Sequence, residues 1–397
     1  MIKNKLANTD WDSKCFNKSA TQMVNIFSVY FLDIMKSLIP NKIVTINDKD
    51  APWVTSSVKA SSKKTIQKIY TEWVKKGRDP SGKEKVKQIQ RDTNRKINEA
   101  KDIYIKSLSN KLCDPSTGHK SFWSAYKRLE NKKKITNIPP LLENGKYEPN
   151  FKNKAHIFNG FFAAQCRPFD NESVIPPFSP LTESSISNVT FTEDLVISVI
   201  NKLNTKKAHG HDGISIAMLK LCTKEVAKPL CKIYKKCIDS GSFPSEWKLA
   251  NVQPVHKKNS RQEKTNYRPI SLLPICGKFF EKIVFDSLYA YLITNGLLSK
   301  KQLGFRPGDS TINQLLAITT EIYNDVETLD ETRAVFLDIS KAFDKVWHEG
   351  LLFKLRNNGI KGNLLLAIED FLSNRKQRVV LNGVDYPWES IHPRGQS

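Results

Sequence analysis

An α+β fold is what this sequence predicts, with a basic helical region ahead of a mixed one. Three observations carry that expectation. Apolar residues recur at helical spacing in both the early and the late parts of the chain. Short apolar runs, Ala334-Val335-Phe336-Leu337 and Val379-Val380-Leu381, have the length of buried strands. Asn382-Gly383 lies between Leu381 and Val384, and both residues accept the positive φ of a tight hairpin turn.

The chain has 397 residues, of which 39% are hydrophobic and 10% aromatic. That length suits two or three domains, and the composition supports a packed core rather than disorder. The net charge is +23 and the pI about 9.6. So large a positive excess implies a polyanionic partner, and at this size it points to nucleic acid rather than an acidic membrane. Seven dispersed cysteines without a Cys-x-x-Cys pair exclude a disulfide framework and a zinc site, and fit the cytoplasm or nucleus. The opening residues lack the apolar run of a signal peptide. The longest apolar stretch, Met23 to Met35, contains Asn25 and Asp33. It is too short for a membrane span and reads as a core helix.

Three zones follow from composition. Residues 1–135 form a basic helical region. From Val54 to Asn110 basic residues outnumber acidic ones by more than two to one. Ile66, Ile69, Tyr70 and Trp73 recur at helical spacing, as do Ile97, Ala100, Ile103 and Tyr104, with a break at Asp79-Pro80-Ser81-Gly82. Such helices can be solvated faces packed on each other, an arm on RNA or DNA, or both. Residues 136–189 form a proline-rich connector, marked by Ile138-Pro139-Pro140 and Ile175-Pro176-Pro177, around a short helix at His156–Phe162 that buries its aromatics. Residues 190–397 are the ordered, catalytic-looking region. Thr192 caps a helix carrying Val196, Val199, Ile200 and Leu203. A second helix carries Val226, Leu230, Ile233, Tyr234 and Cys237 and stops before Gly241.

His209-Gly210-His211 with Asp212 has metal-like residue types, yet no further ligand lies at metal spacing. Gly210 and Gly213 instead mark a tight turn before a helix holding Met218, Leu219 and Leu221. Cys222, Cys231 and Cys237 are expected to be buried helix residues.

Asp338 directly follows the expected strand Ala334–Leu337. A carboxylate there faces a cleft from a rigid scaffold, which is what a polymerase needs to fix magnesium ions. Alone this is weak evidence, since strand-end Asp residues are mostly turn residues. Its context is more specific. The stretch from Ala334 through Asp338, Lys341-Ala342-Phe343-Asp344 and on to His348 resembles the first catalytic motif of non-LTR retrotransposon reverse transcriptases, of the jockey or LINE type. Lys206 to Ile214 resembles the glycine-rich element of that family. Asn266-Tyr267-Arg268-Pro269-Ile270-Ser271-Leu272-Leu273 resembles its fingers motif, and Gln302 to Thr311 the next one. The segment from Pro52 through the basic helices looks like the region between endonuclease and polymerase.

The resemblance implies the fingers and an incomplete palm of a right-hand polymerase, and RNA-templated DNA synthesis in the parent protein. It implies magnesium and deoxynucleotides as cofactor and substrates, and an RNA template and DNA primer as partners. Asp338 becomes the catalytic, metal-binding carboxylate, with the main-chain carbonyl of Ile339 joining the metal. Phe343 becomes the ring that collides with a ribose 2′-hydroxyl; its bland alternative is a core residue. Arg268 becomes a clamp on the triphosphate, its fork matching phosphate oxygens. Lys257 and Lys258 assist by charge or are merely solvated. Asp344 orients the loop. Arg306 contacts template or pairs inside the fold.

The family also needs an aromatic-x-Asp-Asp hairpin, and this sequence has no Asp-Asp pair. An inactive fragment is therefore expected, leaving open a non-catalytic nucleic-acid-binding remnant. A group II intron reverse transcriptase is a further alternative, which the Asn266–Leu273 and Lys341–His348 segments disfavour. The tail Pro393-Arg394-Gly395-Gln396-Ser397 has the composition of the family's Pro-Gln-Gly-Ser element in another order, as a one-base slip of reading frame or a misplaced exon edge shortly before Pro393 produces, the alternative being a genuine family variant with Arg394 and Gln396 in place.

Overall fold

The computed structural model describes residues 1–40, 51–53, 70–75, 77, 80–130, 138–166, 174–329 and 331–391. The chain divides into two compact units, one of residues 1–40 with 138–397 and one of residues 41–137. The tail 393–397 and the residues Ile66, Ile69 and Asp79 lie outside the described residues.

Two short helices, α1 (Ile2–Ala7) and α2 (Trp11–Cys15), lead into α3 (Ala20–Leu38). Ser19 starts α3 through a reciprocal cap: its hydroxyl accepts the Gln22 N–H and the Gln22 side chain accepts the Ser19 N–H. Met23, Val24, Phe27, Phe31, Ile34 and Met35 then fall on one buried face. The Met23–Met35 stretch is thus a core helix, and it shares a core with residues beyond 190.

In the second unit, α4 (Pro80–Cys113) begins on a proline, whose missing N–H is harmless in the first turn. α5 (His119–Leu129) packs back on it. The helical spacing of Ile97 to Tyr104 holds, but Ile103 is exposed.

The first unit resumes with a hairpin, β1 (Leu141–Glu143) and β2 (Lys146–Glu148), turned by Asn144 and Gly145 at positive φ. The expected aromatic helix is α6 (Phe151–Gln165), longer than its sequence suggested, with Phe158 and Phe162 buried. Next come α7 (Glu193–Lys202), α8 (Ile216–Leu221) and α9 (Thr223–Asp239). The Thr192 hydroxyl accepts the Leu195 N–H at 3.2 Å, the expected cap. In α9 Val226, Leu230, Ile233, Tyr234 and Cys237 are all buried, as are Cys222 and Cys231.

The main sheet is built from β3 (Leu249–His256), β4 (Tyr267–Leu272), β5 (Lys376–Leu381), β6 (Val384–Asp385) and β7 (Glu389–Ser390). Its order is β4-β3-β5-β6, with β7 also on β5. β3 and β5 run parallel, so a long crossover must join them. That crossover holds α10 (Ile275–Thr294), α11 (Thr311–Leu329), α12 (His348–Asn357) and α13 (Gly362–Leu372). The Asn382-Gly383 turn between β5 and β6 has both φ positive, the hairpin expected. α6 lies on one face of this sheet, where Phe158 and Phe162 meet Val252, Tyr267, Val379 and Leu381. α3, α7, α9 and α10 contribute to the larger helical core. The fold is α+β.

One expectation fails. Ala334–Leu337 is not a buried strand. It forms no ladder, and Val335, Phe336 and Leu337 are 84%, 85% and 90% exposed. The apolar run sets an extended preference, but burial needs a neighbouring strand and a covering layer. Neither meets this segment among the described residues.

Candidate functional site

The expected residues fall into two groups. The first lies on the β3–β4 ladder. Arg268 stands directly across from Val255, and Ile270 across from Gln253. Directly opposed residues share a face. Tyr267 points the other way, buried against Phe158 of α6 with ring centroids 4.9 Å apart. Its hydroxyl donates to the Arg261 carbonyl at 2.6 Å, and burial pushes the phenol up from its ordinary value. Alternation therefore leaves Arg268 on the open face. The ladder continues one step further, because the Lys257 N–H donates to the Asn266 carbonyl at 2.8 Å. Lys257 is two residues beyond Val255 and shares its face, while Lys258 follows on the turn; both are exposed.

The second group is the loop from Asp338 to Asp344. Asp338 and Ile339 are exposed on the extended segment. Lys341 has φ of +55°, and the Asp344 N–H donates to its carbonyl at 3.0 Å, closing a tight turn. Burial raises the Asp344 carboxyl above its usual range, against the opposing pull of Lys341. Asp344 is half-buried in the loop. Phe343 is 78% exposed and meets Phe305 edge-on, ring centroids 5.7 Å apart at 85°.

α6 touches both groups. The Lys341 ammonium sits 5.3 Å from the centroid of the Phe161 ring, and the Lys264 ammonium 5.8 Å from it. Lys264 lies three residues before β4 and pairs with Glu143 at 2.6 Å. Cys166, one turn after Phe162, lies near Lys341 and Asp344, and burial first, then Asp344, pushes its thiol up to about 11. No hydrogen bond or ion pair joins Asp338 to Arg268, Lys257 or Lys258 among the described residues.

The contacts of Phe161 and Phe305 were not foreseen: Phe161 was expected to be buried with the other aromatics of its helix and is only half-buried, and Phe305 had no role of its own within Gln302–Thr311. Phe161 carries a faint signal: beside Phe162 on a helix, the two rings cannot face the same way. Phe305 has φ of +63°, which a phenylalanine rarely adopts and which nothing in the sequence announces. Arg306, its neighbour, turns inward: its guanidinium donates to the Ser299 carbonyl at 3.0 Å and lies 3.9 Å from Asp309.

The glycine-rich turn has a packing cause. A Cβ on Gly210 would meet the backbone of Leu273 and Pro274 at 2.5–2.8 Å, so only glycine lets this turn sit against the end of β4. Gly213 takes φ of +73°. His211 approaches Glu246 at 3.5 Å and Trp388 edge-on.

As metal ligands, the loop offers the Asp338 carboxylate and the Ile339 carbonyl. Among the described residues no three His, Cys, Asp or Glu side chains gather as a metal would require. One carboxylate does not make a two-ion centre, so the described residues do not by themselves fit one.

Residues 255–391 match the family described as reverse transcriptase (RNA-dependent DNA polymerase). That stretch runs from the end of β3 to just past β7 and takes in Arg268, Phe305, Asp338 and Phe343. The chain is 28% identical over 257 residues to the probable RNA-directed DNA polymerase from transposon X-element of Drosophila melanogaster, covering 63% of this chain and 28% of that protein. It is 33% identical over 199 residues to the RNA-directed DNA polymerase from mobile element jockey of the same fly, covering 50% of this chain and 21% of that protein. The chain carries a reverse transcriptase domain of the non-LTR retrotransposon type. A third relative, the putative 115 kDa protein in type-1 retrotransposable element R1DM, is 25% identical over 241 residues, 59% of this chain and 22% of that protein. The chain thus spans under a third of the length of these relatives. No helix among the described residues is long and apolar enough to cross a membrane.

Proposed function

We propose that this reverse transcriptase domain supplies the fingers and the first catalytic carboxylate of an RNA-directed DNA polymerase, laid out as a right hand. RNA template and DNA primer are its partners and deoxynucleotides its substrates, with magnesium as the cofactor that polarises the reacting phosphate. Its place of action is the nucleus or cytoplasm. The observation that carries this reading is the turn from Asp338 to Asp344, which presents a carboxylate and an exposed ring five residues apart on one loop.

The residues of the chain then take these parts. Asp338 and the Ile339 carbonyl are the groups of this loop that would help to hold a cation, together with further carboxylates that the described residues do not supply. Arg268, on the open face of the β3–β4 ladder, forks onto triphosphate oxygens, and Lys257 adds charge on the same face. Lys258 contributes at longer range. Phe343 stands where a ribose 2′-hydroxyl would have to pass. The basic unit at 80–130 holds template or primer through phosphates.

Primer extension on an RNA template tests this, in a protein joining the full chain, residues 1–397, to the downstream part of the jockey polymerase. Extension that vanishes in Asp338→Ala and falls strongly in Arg268→Ala is expected. Extension that survives Asp338→Ala sinks the assignment. Retained binding without extension in the unsubstituted protein leaves a nucleic-acid-binding remnant.

A further inference from the structure

The second unit carries an aromatic face that the polymerase reading does not use. α5 has the sequence His119-Lys-Ser-Phe-Trp-Ser-Ala-Tyr-Lys-Arg-Leu129. Its inner side is settled by Phe122, Ala125 and Leu129, at helical spacing; Ala125 is 2% exposed and the other two are half-buried. α5 packs by this side on α4. Trp123 and Tyr126 come out on the adjoining side, three residues apart, and are 53% and 40% exposed. Their rings are held in order. Trp123 meets Phe122 edge-on at 5.5 Å and Tyr126 edge-on at 5.7 Å, with interplanar angles of 89° and 86°. The Tyr126 hydroxyl donates to Glu130 at 2.7 Å, which fixes the second ring.

A tryptophan is normally buried or at an interface, because its large ring gains most from leaving water. Here two large rings stay out, on a helix that has an apolar core side available. The charge around them narrows what covers them. α5 contains no acidic residue. Lys120 lies three residues before Trp123 and Lys127 four after, on the same side of the helix, and both are exposed. From residue 80 to 130 twelve Lys or Arg stand against six Asp or Glu. The nearest acids are engaged: Asp114 accepts the Ser116 N–H and hydroxyl, and Glu130 accepts the Tyr126 hydroxyl.

We propose that Trp123 and Tyr126 form a stacking platform for the unpaired bases of single-stranded nucleic acid, with Lys120 and Lys127 on the flanking phosphates. Ordered rings with cations beside them are the combination that single strands fit: every base has a face for a ring, and every step brings a phosphate. A duplex hides its base faces and can use only the cations. A membrane surface would also accept Trp and Lys, yet α5 lacks the continuous apolar face that inserts between lipids. The inference rests on the basic unit being a nucleic-acid binder, and it adds that the unit prefers unpaired strands.

Two probes test it with the full chain: a 12-nucleotide oligouridylate and a 12-base-pair RNA duplex, read by fluorescence anisotropy. Trp123→Leu keeps an apolar side chain of good helix propensity at an exposed site, and Trp123→Phe keeps a ring. The leucine variant should bind oligouridylate about tenfold more weakly, the order of one lost stacking contact. It should bind the duplex as before, and the phenylalanine variant should recover most of the loss. Lys127→Gln should weaken both probes and flatten the salt dependence. Equal weakening of both probes by Trp123→Leu overturns the platform and makes Trp123 a packing residue. Unchanged oligouridylate affinity, or tighter binding of the leucine variant to phosphatidylserine vesicles than to oligouridylate, also overturns it. Salt-dependent binding of both probes that ignores Trp123 leaves the phosphate reading standing alone.

Discussion

Lys248 and Asp370 form an ion pair of 2.5 Å that ties the start of β3 to α13. Asp370 serves twice, since its other oxygen accepts the Phe243 N–H at 2.6 Å. The lysine side chain is only 8% exposed, whereas the aspartate is 34% exposed. That asymmetry predicts unequal losses. Asp370→Ala strands a buried ammonium and a main-chain N–H, and should destabilise the unit by about 3 kcal/mol. Lys248→Met leaves a carboxylate that still has water and one N–H, and should lose about 1 kcal/mol. Denaturant midpoints compare the two. Equal losses would mean that the ammonium is not stranded by its burial.

Asp212 gives a pH-dependent prediction. It is half-buried beside the glycine-rich turn and accepts the Ile214 N–H at 3.3 Å. Burial raises its carboxyl above the usual range, with His211, the Ile214 N–H and His209 pulling it back. A raised carboxyl binds its proton more tightly in the folded than in the unfolded chain. Folding is therefore favoured by this group at low pH, and that contribution is lost as pH rises from the unfolded value of about 3.9 through the folded one. Asp212→Asn keeps an oxygen for Ile214 and removes the charge. It should stabilise the protein at neutral pH and make no difference near pH 3. Thermal melts across that range check it, and a gain that persisted at pH 3 would assign the effect to something other than the proton.

Much of this was legible in the sequence where local chemistry decides. Thr192 and the Asn382-Gly383 turn act on their own neighbours, so the string of residues is enough. Met23–Met35 and the α9 stripe were legible because burial of one helix face leaves a period. Ala334–Leu337 was misread because an apolar run reports a preference for burial, while burial itself depends on a partner elsewhere in the chain. The contacts of Phe161 and Phe305 were not legible for a related reason. Each matters through one long-range contact, to Lys341 and to Phe343, and a single contact leaves no period. Residues such as Asp338 were found by motif rather than by environment, so their surroundings could not be foreseen.

Two glycines separate steric need from conformational need. Gly210 has no room for a Cβ, which would come within 2.5 Å of the Pro274 nitrogen. Gly383 has open space but φ of +80°. Gly210→Ala must push main chain against main chain, and should destabilise by about 3 kcal/mol. Gly383→Ala strains only its own backbone, and should lose about 1 kcal/mol. Urea titration of both variants measures the gap, and the reverse order would mean that the turn at Gly210 yields easily.

The ring pair Phe305–Phe343 bears on sugar selection in the proposed polymerase. Phe343 is exposed, and the only described ring beside it is Phe305, edge-on at 5.7 Å. In the chimera with the jockey downstream segment, Phe343→Ala should raise ribonucleotide incorporation relative to deoxynucleotide by about tenfold or more, since one lost steric block is worth at least 1.4 kcal/mol of discrimination. Phe305→Ala leaves the gate ring in place but unsupported, so it should raise the same ratio by a smaller factor. Single-nucleotide extension with paired dNTP and rNTP substrates reads the ratio directly, separate from any drop in overall rate. An unchanged ratio in active Phe343→Ala would remove the residue from sugar selection. An unchanged ratio in Phe305→Ala alone would leave Phe343 as a gate held by its own loop, through the Lys341–Asp344 turn.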